Sequence, residues 1–217
     1  MRSRAAGRAS GGTSRGRDFW PSRDLVCQKR EFVRKRPVIL DSARSALGEY
    51  RPVDPREAAY RERMLELLQL PTPTSRRQFE PGHLTASGFV LSPEADALLL
   101  VFHKKLKIWV QPGGHVEPAD QSLLEAARRE VLEEVGLSLS AAPAAVFDLD
   151  VHGIPARKDE PAHEHFDVRY CFRSPTRDFV RTEEVADVRW VPLAKLPELT
   201  TDESVLRAAR KLRWAAR

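Results

Sequence analysis

Apolar positions along this chain follow a helical rhythm up to residue 70 and a strand-and-turn rhythm from Leu84 onward. Val38, Leu40, Ala43 and Leu47 recur at spacings of two to four until Gly48, as the inner face of a helix requires. Asp54, Pro55 and Glu57 then make a helix start: a capping acceptor, a residue with φ already set, and an acid in the first turn. Ala58, Met64, Leu65, Leu68 and Leu70 supply the apolar face, and Pro71 and Pro73 end it. The pattern predicts a helical hairpin within residues 37–79, packed on the domain that follows.

Beyond Leu84 the predicted elements are short. Residues 85–91 are β-capable, 92–96 read as a turn, and Ala97–Phe102 is the continuous apolar run of a buried strand. A loop with His103, Lys104, Lys105 and Lys107 leads to a short strand at 108–110, closed by Pro112, Gly113 and Gly114. A helix follows, then strands at 146–150, 166–172 and 188–191 and a last helix at 203–214. Strands interrupted by one helix and finished by another predict an α/β (α+β) sandwich.

The helix after the double glycine carries the chemistry. Ser122 with Glu125 three residues on is a capping box, and Gly136 stands where a left-handed stop belongs. At 100° per residue, Leu124, Ala127, Val131 and Val135 lie within about 80° and face the core. Glu130, Glu133 and Glu134 share an adjacent arc of about 100°. On an exposed helix three such acids cost only tenths of a kcal/mol. Half-buried, each pair about 6 Å apart repels by about 3 kcal/mol at an effective dielectric near 20, and a divalent cation becomes the natural neutraliser. All-oxygen ligands suit Mg²⁺ or Mn²⁺ rather than zinc, and the sequence shows no Cys/His set at zinc spacing.

The run Arg129-Glu130-Val131-Leu132-Glu133-Glu134-Val135-Gly136-Leu137 resembles the second half of the Nudix hydrolase signature at every position. Trp109 to Gly114, with Glu117 beyond, is similar to the family's approach to that motif, and Val188 to Pro192 followed by Leu196-Pro197 to its closing strand and turn. The departure lies between. Five residues separate Gly114 from Asp120, which holds the motif's Glu position, and eight residues rather than seven separate Asp120 from Arg129. The extra residue is expected in the loop before Ser122, because one inside the helix would rotate the acids by about 100°.

The resemblance spans about residues 80–200 and implies a Nudix-like α/β/α sandwich with a mixed sheet, within a domain assigned to residues 80–217. It implies metal-dependent cleavage of a nucleoside diphosphate linked to another moiety, by water attack on phosphorus. Glu130 and Glu134 are then the principal metal ligands, Glu133 a ligand or a positioner of water, and Arg129 the residue that fixes a neighbouring carboxylate. The Gly114 carbonyl is a further ligand, with Gly113, Gly114, Glu117 and Lys104 on the substrate side. The alternative is a non-catalytic Nudix-fold module that binds a phosphate ligand or nucleic acid. Outside the motif, Glu164, His163, His165 and Asp167 are open as a base or further ligand. If they enter a strand, His163, His165 and Asp167 share one face and Glu164 with Phe166 the other; the plain alternative is a hydrated strand edge.

Composition changes little of this. The chain has 217 residues, 41% hydrophobic and 31% charged, a globular mix. No run approaches 18 apolar residues, so no membrane helix is predicted. Two cysteines, Cys27 and Cys171, make no disulfide framework, so a reducing, cytoplasmic setting is the default. The net charge of +5 is local: residues 1–36 hold 11 Lys/Arg against 3 Asp/Glu, leaving 25 against 28 for the rest. That leader is expected to be disordered, and any nucleic-acid affinity is expected to be weak and to reside in it. The substrate's leaving group and the oligomeric state have no sequence signal.

Overall fold

In a computed structural model, residues 38–139 and 145–215 are described; the basic leader over 1–36, with Cys27, lies outside them. The order is α1 (Val38–Glu49), α2 (Pro55–Leu67), β1 (Gly82–Leu91), β2 (Ala97–Phe102), β3 (Trp109–Val110), β4 (Gly113–His115), α3 (Leu123–Val135), β5 (Asp148–Ile154), β6 (His163–Arg173), β7 (Asp187–Pro192), a 3-10 turn (Leu196–Glu198) and α4 (Glu203–Ala215). The strands form one mixed sheet with the path β3-β2-β1-β6-β5, to which β4 adds beside β1 and β7 beside β2.

The long parallel pairing of β1 with β6, from Gly82 opposite Glu164 to Leu91 opposite Arg173, makes these two strands the middle of the sheet. Their alternation is core on one face, with Leu84, Ala86, Phe166 and Val168 buried against α1, α2 and α3. On the other face Phe89 meets Leu98, Leu100 and the α4 residues Val205, Ala208 and Leu212. The result is the α/β/α sandwich expected. The second edge of β1 is divided: Val90 and Leu91 pair with β2, whereas Thr85, Ala86 and Ser87 pair with β4. Because β2 and β4 part along β1, a cleft opens between them. The double glycine, expected to close the preceding strand, is itself a strand.

The hairpin starts as its sequence says, with Asp54 Oδ1 accepting from the Glu57 amide at 2.8 Å and Pro55 in the first turn. Its buried face differs by one position. Ala58 is exposed and Glu57 is fully buried, because the Tyr50 hydroxyl donates to Glu57 at 2.5 Å and Arg207 of α4 reaches it at 3.0 Å.

Candidate active site

Helix α3 is fixed at both ends before any chemistry is asked of it. Ser122 Oγ accepts from the Glu125 amide, and Gly136 closes the helix at φ 66° with its N–H on Leu132 O. Leu123, Ala126, Ala127, Val131 and Val135 are buried, which turns Glu130 and Glu134 toward β4 and leaves Glu133 more exposed. The Gly113 amide donates to Glu134 Oε2 at 3.1 Å. A Cβ on Gly114 would stand 2.6 Å from Glu130 Oε2, so the missing side chain is what lets that carboxylate close on the strand.

Arg129 bridges two of the acids. Its Nη1 donates to Glu130 Oε1 at 2.9 Å and to Glu133 Oε2 at 2.7 Å, and its Nη2 to the His115 carbonyl at 2.8 Å. Asp120 takes the remaining edge of the guanidinium, at 3.2 Å from Nε and 3.0 Å from Nη2, a fork that fixes the plane of the cation. The extra residue is absorbed ahead of the helix: Asp120 N donates to the Glu117 carbonyl at 3.0 Å and Glu117 N to Asp120 Oδ2 at 2.8 Å. The helical register of the acids is therefore untouched, and Asp is long enough to reach the arginine.

Burial pushes the Glu130 carboxyl up to about 7, against the pull of Arg129. Burial, reinforced by Glu130, pushes Glu134 up to about 8 despite the Gly113 hydrogen bond. Glu184, from the loop before β7, adds its charge to both. Crowded oxygens that resist ionisation beside a backbone strand are a donor set that fits a hard divalent cation.

The cleft, of about 590 Å³, runs from Gly114 and Glu134 past Ser87 and Asp167 to His163 and His165. Lys104 lies on its wall with its ammonium on the Glu183 carbonyl. Glu117 is exposed and engages the turn through its backbone. Glu164 is turned away and pairs with Arg63 of α2, on the face opposite His163, His165 and Asp167, as the alternation requires. The hydrated edge is corrected: β6 lies between β1 and β5, and His163 and Asp167 are buried. Asp167 accepts from Ser87 at 2.8 Å, Gln111 at 3.2 Å and Arg169 Nε at 2.8 Å.

Sequence reading missed His83, His115 and Glu184. His83 stands opposite His165 across β1 and β6, and its ring lies 5.1 Å from that of His115. A signal existed for His83: with Thr85 and Ser87 it makes a polar stripe at every second position of an otherwise apolar strand, which in a central strand must be buried on a functional face. Glu184 carried none. Burial holds His83 below the usual imidazole range; burial, then His83, holds His115 at about 4; burial with the surrounding imidazoles lowers His165 further.

Comparison with known proteins places the fold in a family. The NUDIX domain model matches residues 81–212. A Bacillus subtilis protein named putative 8-oxo-dGTP diphosphatase is 34% identical over 116 residues, 52% of this chain and 70% of that protein. The Danio rerio m7GpppN-mRNA hydrolase NUDT17 is 40% identical over 81 residues, 35% of this chain, and the match spans only 25% of that relative's length. Among solved structures, the MutT protein of Methanosarcina mazei Go1 shares the fold at a TM-score of 0.52 with 18% identity, over 62% of this chain and 94% of its own. With its domain model matched across more than half its length, and the motif helix, glycine strand and sandwich in place, the chain belongs to the Nudix family.

Proposed function

We propose that this chain is a divalent-cation-dependent pyrophosphohydrolase that cleaves a nucleoside diphosphate linked to another moiety by attack of water on phosphorus. The observation that carries the reading is the pair Glu130 and Glu134, held near 7 and 8 by burial against a glycine strand on the wall of an open cleft. Acids so placed gain most by sharing a cation. Mg²⁺ or Mn²⁺, when bound, would screen the diphosphate and lower the pKa of a water.

The chain's own groups do the positioning. Arg129, braced by Asp120 and the His115 carbonyl, sets the rotamers of Glu130 and Glu133, and the Gly113 N–H sets Glu134. Glu130 and Glu134 are assigned as the principal ligands, with the Gly114 carbonyl beside them. Glu133, more exposed and tethered to Arg129, is assigned to hold a ligand water or orient it. Gly113 and Gly114 let substrate oxygens approach the backbone, and Lys104 at the wall offers a cation to phosphate. Glu117 serves the turn that seats Asp120. The relatives named for 8-oxo-dGTP and for capped mRNA favour a nucleotide substrate.

The test is a panel of nucleoside di- and triphosphates, dinucleotide polyphosphates and nucleotide sugars, assayed with Mg²⁺ or Mn²⁺ for released phosphate or nucleoside monophosphate. Turnover of at least one compound, abolished by chelator and restored by the cation, is expected. Undiminished hydrolysis in excess chelator overturns the mechanism; tight binding without turnover identifies a binding module instead.

A further inference from the structure

We propose that His83, His163 and His165 form a second metal site, for one divalent transition-metal ion of the zinc class, separate from the carboxylates of α3. Each offers a ring nitrogen, and the three nitrogens lie within 4.8 Å of one another. The ring centroids are 5.1 Å apart for His83 and His163, 4.9 Å for His83 and His165, and 5.3 Å for His163 and His165. Three nitrogens bound to one tetrahedral zinc at about 2.0–2.1 Å are about 3.3–3.4 Å apart, so side-chain rotations that draw the nitrogens together by about 1.5 Å complete the set.

Orientation favours a metal over the alternatives. His83 Nδ1 lies 3.0 Å from the Gln78 carbonyl and His163 Nδ1 lies 2.8 Å from the Pro161 carbonyl. A carbonyl only accepts, so both Nδ1 atoms carry the hydrogen and both Nε2 atoms present lone pairs. A backbone carbonyl behind the ring, fixing its tautomer, is the outer-shell arrangement of a ligating histidine. The His83 Nε2 is moreover buried with no hydrogen-bond partner among the described residues, an orphan acceptor that a cation would satisfy. Burial disfavours the protonated rings of His83 and His165, which argues against an imidazolium site for an anion. Arg76, one of the cations lining the cleft, is paired with Glu160 at 3.6 Å.

Ligand chemistry and rigidity select the ion. Imidazole nitrogens suit zinc, copper or nickel and not Mg²⁺, so the two sites would not compete for one metal. His83 and His165 are register partners in the central parallel pair, with His163 on the same face, so the backbone supporting the set is rigid. Three protein ligands leave a fourth position for water or a substrate oxygen, and these histidines line the same cleft as Glu134. The sequence displays His163 and His165 as a pair, but His83 joins them from a strand distant in the chain, so no spacing displays the trio.

Full-length protein stripped by chelator is dialysed against micromolar Zn²⁺ in excess Mg²⁺ and its metal is measured by mass spectrometry. About one zinc per chain is expected to remain, in the wild type and in Glu134→Gln alike. In His163→Gln and His165→Gln, zinc affinity is expected to fall at least about tenfold. Co²⁺ in place of Zn²⁺ should give a visible ligand-field band that the same substitutions remove; the wild-type stoichiometry and spectrum test the site even if a histidine variant folds poorly. Less than about a tenth of a zinc per wild-type chain, or retention unchanged in folded histidine variants, overturns the proposal. So does zinc lost in Glu134→Gln but kept by the histidine variants, or phosphate bound only at acid pH with no zinc.

Discussion

Near neutral pH the Glu134 carboxyl of the metal-free protein is largely protonated, since burial and Glu130 hold its pKa at about 8. Its folded pKa lies above the ordinary 4.5, so between about pH 4.5 and pH 8 the folded state binds the extra proton and stability falls as pH rises. Glu130, at about 7, acts in the same sense. His83, His115 and His165, held below 6.5, act oppositely and remove stability as pH falls below that value. A difference between variants isolates the acid. Gln does not titrate, so in chelator the Tm of Glu134→Gln should gain on wild type steadily from about pH 5 to about pH 8, and saturating Mg²⁺ should erase the gain; a difference flat with pH would show that Glu134 ionises freely. The same variant should lose at least about a hundredfold in kcat with its fold intact, as for removal of a principal charge-stabilising group. A kcat within threefold of wild type would mean that Glu134 is not a ligand. The three acids were legible because helical spacing puts them on one arc. The partner of Arg129 was not, because Asp120 meets it only after a turn whose shape no local pattern states.

Strand β4 shows how an element decides what a single methyl does. Gly113 lies over β1: its Cβ would stand 2.3 Å from Ser87 Cβ and 2.8 Å from Ser87 Cα, so Gly113→Ala must force two paired strands apart. Overpacking of that kind costs about 1–3 kcal/mol, and a Tm fall of several degrees is expected. For Gly114→Ala the three atoms nearest the new Cβ all belong to the Glu130 carboxylate, the movable end of a side chain. That variant should melt like wild type yet lose kcat on the order of a hundredfold, since a reacting group moved by about an ångström costs that much. Equal melting losses in the two variants would show that the carboxylate does not rest on Gly114. Helix α3, its caps and the hairpin were legible because their signals are local. The sheet was not. Residues 97–102 announce a buried strand, but β6 is made central by parallel pairing with β1 across some 80 residues, and the same pairing assembles the histidines. The polar stripe at His83, Thr85 and Ser87 then turns inward instead of to solvent.

Across the molecule, the hairpin is joined to the Nudix domain by charge as well as by apolar packing. Leu47 of α1 and Met64 of α2 are fully buried in the core that also holds Val131 and Val135. Glu57 meets Arg207 at 3.0 Å, Arg207 meets Asp148 at 2.9 Å, and Lys211 pairs with both Glu57 and Asp148. Asp148 in turn receives Arg169 at 3.2 Å, whose Nε donates to Asp167 in the cleft. Removing one member of such a set leaves a buried charge unmatched, at about 3–5 kcal/mol, so Arg207→Met should lower Tm sharply. The matched domain begins at residue 81, yet the physical unit begins earlier. Deleting residues 1–36 should leave Tm unchanged and kcat/KM for a small diphosphate substrate within a few fold, because every residue assigned to the chemistry, from His83 onward, lies well beyond residue 36. Deleting residues 1–79 removes Leu47, Met64 and Glu57 together; it uncovers the α3 side of the core and leaves Arg207 and Lys211 one acid short. That shorter protein is expected to be insoluble or to melt far below the full chain, with chemical denaturation and light scattering as the measurements. Wild-type stability in it would mean that the domain is complete without the hairpin. Loss of activity at unchanged Tm in the first deletion would instead place part of the active site within residues 1–36.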